Sequence, residues 1–111
     1  MIKTGTTQLP SVTPVTGMPG TWDLNVGNGS RSYMSADIQF DQFAIPGSTT
    51  PFSYPPNVVL SLAGISGIGG VPSVVVQAQN VQAEEFNIYV EVYGDFTLVS
   101  LWVTWIATDM V

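Results

Sequence analysis

The run Glu85-Phe86-Asn87-Ile88-Tyr89-Val90-Glu91-Val92-Tyr93 alternates apolar and polar side chains with hardly a break. In an extended chain Phe86, Ile88, Val90 and Val92 fall on one face and Asn87, Tyr89, Glu91 and Tyr93 on the other, which is the pattern of a strand with one side buried. The reading extends outward in both directions. Gly94-Asp95 turns the chain into Leu98–Thr108, where Val99, Leu101, Val103, Trp105 and Ala107 are expected to face the core. Upstream, Ser73–Val81 alternates as well, and Asn57–Ile65 is a continuous apolar run ending at a turn marked by Gly64, Gly67, Gly69 and Gly70. Ser35–Phe43 places Ala36, Ile38 and Phe40 between Asp37 and Gln39, and a short strand at Thr21–Val26 ends in the turn Gly27-Asn28-Gly29-Ser30. Asn28-Gly29-Ser30 is also a formal glycosylation sequon, read here as a turn.

No stretch carries a helical period, and the loop Ala44–Pro56 holds four prolines that interrupt any ladder. About six short strands separated by turns predict an all-β domain, a six-stranded antiparallel β-sandwich over residues 21–111. Residues 1–20, rich in Thr, Pro and Gly without periodicity, read as an extended N-terminal arm or tether.

Composition narrows the function. The 111 residues carry a formal net charge of -6, with Lys3 and Arg31 the sole cationic side chains. Nucleic acid and anionic membrane surfaces call for clustered Lys and Arg, so neither is an expected partner. Charged residues make up 9% of the chain against 45% hydrophobic ones, a balance that leaves few charges to solvate a lone monomer and hints at assembly. With no Cys and no His, disulfides, thiolate chemistry and imidazole-based metal sites are excluded, and no cofactor is expected. The opening residues lack the apolar stretch of a secretory signal, so synthesis in a cytoplasm without a signal peptide is expected, followed by association with a virion.

Site chemistry fares no better. A nucleophilic dyad or triad would have to use a carboxylate, Lys3 or the N-terminus as its base, which leaves no catalytic residue to name. Glu84-Glu85, Asp37 and Asp41 are the nearest carboxylates for glycoside hydrolysis, but neighbours on a strand point to opposite faces. The glycines of Gly64-Ile65-Ser66-Gly67-Ile68-Gly69-Gly70 are followed by Pro72 and a β-like run, where a phosphate cradle would need a helix N-terminus. The chain is not expected to be an enzyme.

Tyr54-Pro55-Pro56-Asn57-Val58-Val59-Leu60-Ser61-Leu62, then Val74 to Val81, Glu85-Phe86 and the closing Val99-Ser100-Leu101-Trp102-Val103-Thr104-Trp105-Ile106-Ala107 together resemble the H-type lectin domain, over roughly residues 31–108. The resemblance implies a six-stranded antiparallel sandwich that assembles as a homotrimer, with sugar sites where protomers meet. Members that bind N-acetylgalactosamine hold it with an arginine, a tryptophan–histidine pair and an acidic residue of the adjoining protomer. Those positions correspond here to Ser73, Tyr93, Gly94 and Gly29, so the aromatic alone is kept as a type.

Tyr93 is therefore the residue expected to stack on a sugar, with Arg31, Asp95, Asn28, Ser30 and Ser73 as neighbouring hydrogen-bonding groups. The closing strand adds an assembly surface: Leu98, Trp102 and Ile106 lie opposite the expected core face, where a solvated strand would be polar, and are read as trimer interface. Two functions stay open. One is a carbohydrate-binding module displayed on a phage or similar particle for attachment to a cell-surface glycan, its residues 1–20 docking on a virion partner. The other is a purely structural virion protein, a fibre, head decoration or joint, built on the same trimer.

Overall fold

The computed structural model describes residues 1–9, 24, 29–41, 51–69 and 73–109. Among these residues seven strands form two antiparallel sheets: β1 (Ile2–Leu9), β2 (Arg31–Met34), β3 (Ile38–Gln39), β4 (Asn57–Ile68), β5 (Val74–Gln79), β6 (Glu85–Val92) and β7 (Thr97–Thr108). One sheet has the order β1-β7-β4. In the other, β6 is central, with β5 along one edge and β2 and β3 sharing the other. The all-β antiparallel sandwich read from the sequence is the architecture found, and five of the six expected strands have counterparts among the described residues.

β1 and β2 are strands that the sequence pattern did not mark. The first half of the expected arm is no arm: Ile2–Leu9 pairs antiparallel with Thr108–Leu101 along its whole length. Its inward positions explain why the pattern concealed it. They are Lys3, Gly5, Thr7 and Leu9, which face the buried Ala107, Trp105, Val103 and Leu101 across the ladder. Only Leu9 is apolar and fully buried, because the Trp105 indole fills the space next to Gly5. A Cβ at Gly5 would sit 2.5 Å from the indole Cζ2. Residues 10–20, most of the expected strand Thr21–Val26, and residues 44–50 of the Pro-rich loop lie outside the described residues.

The core joins β6 and β7. Phe86, Ile88, Val90 and Val92 from β6 meet Leu98, Leu101, Val103, Trp105 and Ala107 from β7, and all are buried. At one end Phe40 stacks on Phe86 at 5.3 Å, while Trp105 meets both rings edge-on at 5.6 Å, an arrangement that locks the two sheets together. Between β2 and β3 the chain breaks at buried Ser35, whose Oγ donates to the Ala36 carbonyl and accepts the Ile88 amide.

Two expectations about phase are corrected. Leu98 was assigned to an exposed interface and Val99 to the core, but Leu98 is 0% exposed and Val99 45%. Opposite β4, Ser66 pairs with Ser100 and Gly67 with Leu98, so Val99 is the extra residue of a bulge. A bulge of one residue reverses the side-chain alternation on either side of it. Gly64 and Gly67, expected in a turn, lie inside β4. Each lies against an aromatic ring: a Cβ would come 3.3 Å from Trp102 at Gly64, and 2.3 Å from Phe96 at Gly67. They are glycines of close approach, and the turn begins only at Gly69, where φ is +74°.

Candidate functional site

β2, β6 and β5 bring the expected sugar residues to one end of their sheet. Arg31 and Val74 both stand opposite Val92, and the Tyr93 amide donates to the Ser73 carbonyl at 3.1 Å. The turn after β6 is tied to the turn before β2 by the Gly29 amide, which donates to the Gly94 carbonyl at 3.0 Å. Both are glycines at positive φ, +84° at Gly29 and +71° at Gly94. Both take a left-handed backbone conformation that favours glycine over the histidine and the acidic residue of the sugar-binding members.

Arg31 is the clasp of this end. Nη1 donates to the carbonyls of Gly29 at 2.9 Å and Gly94 at 2.7 Å, and Nη2 donates to the Phe96 carbonyl. The guanidinium therefore holds the turn that follows Tyr93 and acts on the site by positioning it. Asp95 is exposed at the tip of that turn, and Asn28 lies outside the described residues.

Tyr93 is 42% exposed on the solvent face of the sheet. Two residues back on the same face is Glu91, and two further back is Tyr89, as the period-two alternation of β6 requires. The Glu91 carboxylate accepts from both phenols: Tyr89 donates to Oε1 at 3.2 Å and Tyr93 donates to Oε2. That bond, more than desolvation and the Glu91 charge, raises the Tyr93 pKa above the ordinary tyrosine value and keeps the hydroxyl a donor. Ser32, Val75 and Gln77 flank the row on β2 and β5. The result is two phenol rings beside one carboxylate, with Tyr93 exposed and Tyr89 and Glu91 half-buried. Of the three, Tyr93 alone is an expected sugar contact, although the alternation of β6 sets Glu91 and Tyr89 on the same face.

The other end of β6 holds a second polar cluster. Asn87 Nδ2 donates to Asp37 Oδ1 at 3.0 Å and to the Ser35 carbonyl at 3.1 Å. Glu85 lies beside Asp37, and its pKa is raised chiefly by a side-chain hydrogen bond with Asp37, then by desolvation and by the Asp37 charge. Asp41 is apart from this pair and binds Lys3. Among the described residues no three acidic side chains converge as metal ligands would.

The outer face of the other sheet differs in character. Trp102 and Ile106 of β7 are 36% and 44% exposed, and Ile106 is flanked in register by Thr4 and Val59. Ile2 and Val59 are also well exposed there, and no charged side chain stands on the outward positions of β1, β7 or the first half of β4. Of the expected interface residues, Trp102 and Ile106 thus share an exposed face and Leu98 does not.

Two antiparallel sheets closed over one shared core define a small β-sandwich domain. The H-type lectin domain model matches residues 49–108, more than half of the chain, and the chain belongs to that family. Two solved structures of discoidin II from Dictyostelium discoideum share the fold: the recombinant protein at TM-score 0.71 and the wild-type protein at 0.70, each with 17% sequence identity. The match covers 96% of this chain but 36% and 35% of the discoidin chains, so the chain spans about a third of their length. No curated protein sequence matches the chain.

Proposed function

We propose that this chain is a non-enzymatic carbohydrate-binding module that acts as a homotrimer on a phage or similar particle and attaches it to a glycan-bearing surface. The observation that carries the reading is the Glu91 carboxylate held between the hydroxyls of Tyr89 and Tyr93 on a lectin fold. A pyranose offers an apolar face to an aromatic ring and hydroxyl pairs to a carboxylate, and both are offered here side by side. Arg31 fixes the turn beyond Tyr93, while Ser73 and Asp95 border the site. Trp102 and Ile106 supply the contact between protomers, supported by an uncharged outer face whose apolar residues would otherwise stand in water. Attachment to the particle falls to the segment after Leu9, since β1 takes Ile2–Leu9 into the sandwich.

A glycan array probed with wild type and Tyr93→Ala tests the site. Binding in the wild type that the substitution abolishes supports it, and binding left untouched places the sugar elsewhere. An array without any signal would favour the structural reading, a decoration or joint built on the same trimer, for which the uncharged face of the β1-β7-β4 sheet is the supporting observation.

A further inference from the structure

The hydroxyl protons of Tyr89 and Tyr93 are both committed to Glu91. Tyr89 donates to Oε1 at 3.2 Å and Tyr93 donates to Oε2. A phenol has one proton to give and keeps lone pairs on its oxygen, while a carboxylate accepts only and has room for more than two donors. The bond to Glu91 raises the Tyr93 pKa, so its proton stays on the phenol at neutral pH. What the three side chains still offer a ligand is therefore acceptors: the remaining lone pairs of Glu91 and those of the two phenol oxygens. Tyr93 is exposed and the other two are half-buried, so solvent reaches the row.

The surroundings supply no positive charge. Lys3 and Arg31 are the sole cationic side chains of the chain. Lys3 belongs to the other sheet and pairs with Asp41, and Arg31 turns its guanidinium onto the carbonyls of Gly29, Gly94 and Phe96. Opposite Glu91 across the ladders stand Ser32 and Val75, both uncharged. Asp95, exposed on the turn beyond Tyr93, and the net charge of -6 add to the negative field.

A ligand suited to this row brings donors and no negative charge. The carboxylate of a uronic or sialic acid brings no donor and would lie beside Glu91 without a counter-ion. A sugar hydroxyl brings one proton. A protonated amine brings three together with a positive charge, and a charge-assisted hydrogen bond is about twice as strong as a neutral one. On the sugar reading of this row, on which the step rests, we infer that the sugar it selects is a hexosamine with a free amine. The ammonium sits on Glu91 and the ring's C–H face on Tyr93. N-acetylation removes the charge and two of the three protons, and with them the preference.

Heteronuclear NMR of the full chain at pH 6 and low salt, following the backbone amides of Tyr89, Glu91 and Tyr93, tests this. D-glucosamine and D-galactosamine are titrated against D-glucose, D-galactose, N-acetyl-D-galactosamine and D-glucuronate, with ethanolamine as an ammonium that carries no ring. At least one amino sugar is expected to bind about fivefold or more tightly than its neutral counterpart, the upper range for a partly exposed ion pair. Glucuronate gives no saturable shift, and ethanolamine binds more weakly than the amino sugar. Glu91→Gln brings amino and neutral sugars to within about twofold of each other. In the wild type, raising NaCl to about 0.5 M shrinks the preference by screening, a readout that does not depend on a variant folding. Equal affinity for amino and neutral sugars, both lost in Tyr93→Ala, would overturn the preference and leave the sugar site standing. No saturable shift with any sugar would overturn both. A preference that survives Glu91→Gln, or ethanolamine binding as tightly as the amino sugars, would also overturn the assignment.

Discussion

Arg31 gives the sharpest test of how the site end is built. Removing its guanidinium leaves the carbonyls of Gly29, Gly94 and Phe96 without their donor and frees the turn that follows Tyr93. A hydrogen bond from a charged donor contributes about 1.5–3 kcal/mol when well shielded. The two bonds from Nη1 are exposed and count for a fraction of that, so most of the effect comes from the partly buried bond to Phe96. Arg31→Met, which keeps the stem and removes every donor, should cost about 2 kcal/mol, or about 10 °C in Tm for a domain of this size. Arg31→Lys should recover less than half, since one ammonium cannot reproduce a planar fork that reaches carbonyls on two turns. Urea unfolding followed by tryptophan fluorescence reads both variants. An Arg31→Met protein within about 0.5 kcal/mol of wild type, the range of ordinary surface substitutions, would refute the clasp.

Trp102→Glu should turn a trimeric wild type, measured by light scattering, into monomer or aggregate, and a monomeric wild type would end the trimer proposal. Gly67→Ala would drive a Cβ to 2.3 Å from Phe96 and 2.5 Å from the Thr97 carbonyl oxygen, and should destabilise by about 1–3 kcal/mol in the same urea assay. Glu85 has its pKa raised in the folded state by Asp37, so the native chain holds a proton that the unfolded chain releases. Stability is therefore expected to fall as pH rises through the range just above the ordinary glutamate value of about 4.3. Glu85→Gln should remove that fall, visible as a Tm difference that grows with pH across the window, whereas parallel profiles would contradict it.

The strands that were legible in the sequence are those whose buried face is apolar throughout. β6 is the clearest, with Phe86, Ile88, Val90 and Val92 inward, and the second half of β7 follows with Leu101, Val103, Trp105 and Ala107. β1 was not legible, because one inward position is a lysine held by Asp41 and another a glycine under an indole. Both depend on residues distant in sequence, which periodicity does not register. The bulge at Val99 was hidden for a related reason: Leu98, Val99 and Leu101 are all apolar, so either phase looks acceptable until the partner strand fixes it. At the site, Tyr93 was found through family resemblance while Glu91 and Tyr89 were overlooked, though their shared face follows from the alternation alone. Arg31 was read as a ligand contact because nothing local announces that three carbonyls would converge on it.

Calorimetric titration with the glycan best retained on the array, carried out on wild type, Tyr93→Ala and Glu91→Gln, tests the central claim most directly. Losing the aromatic face or the carboxylate should each weaken binding by at least about tenfold, or about 1.4 kcal/mol, with the fold unchanged by circular dichroism. Equal affinities for all three proteins would contradict a sugar site at Tyr89, Glu91 and Tyr93.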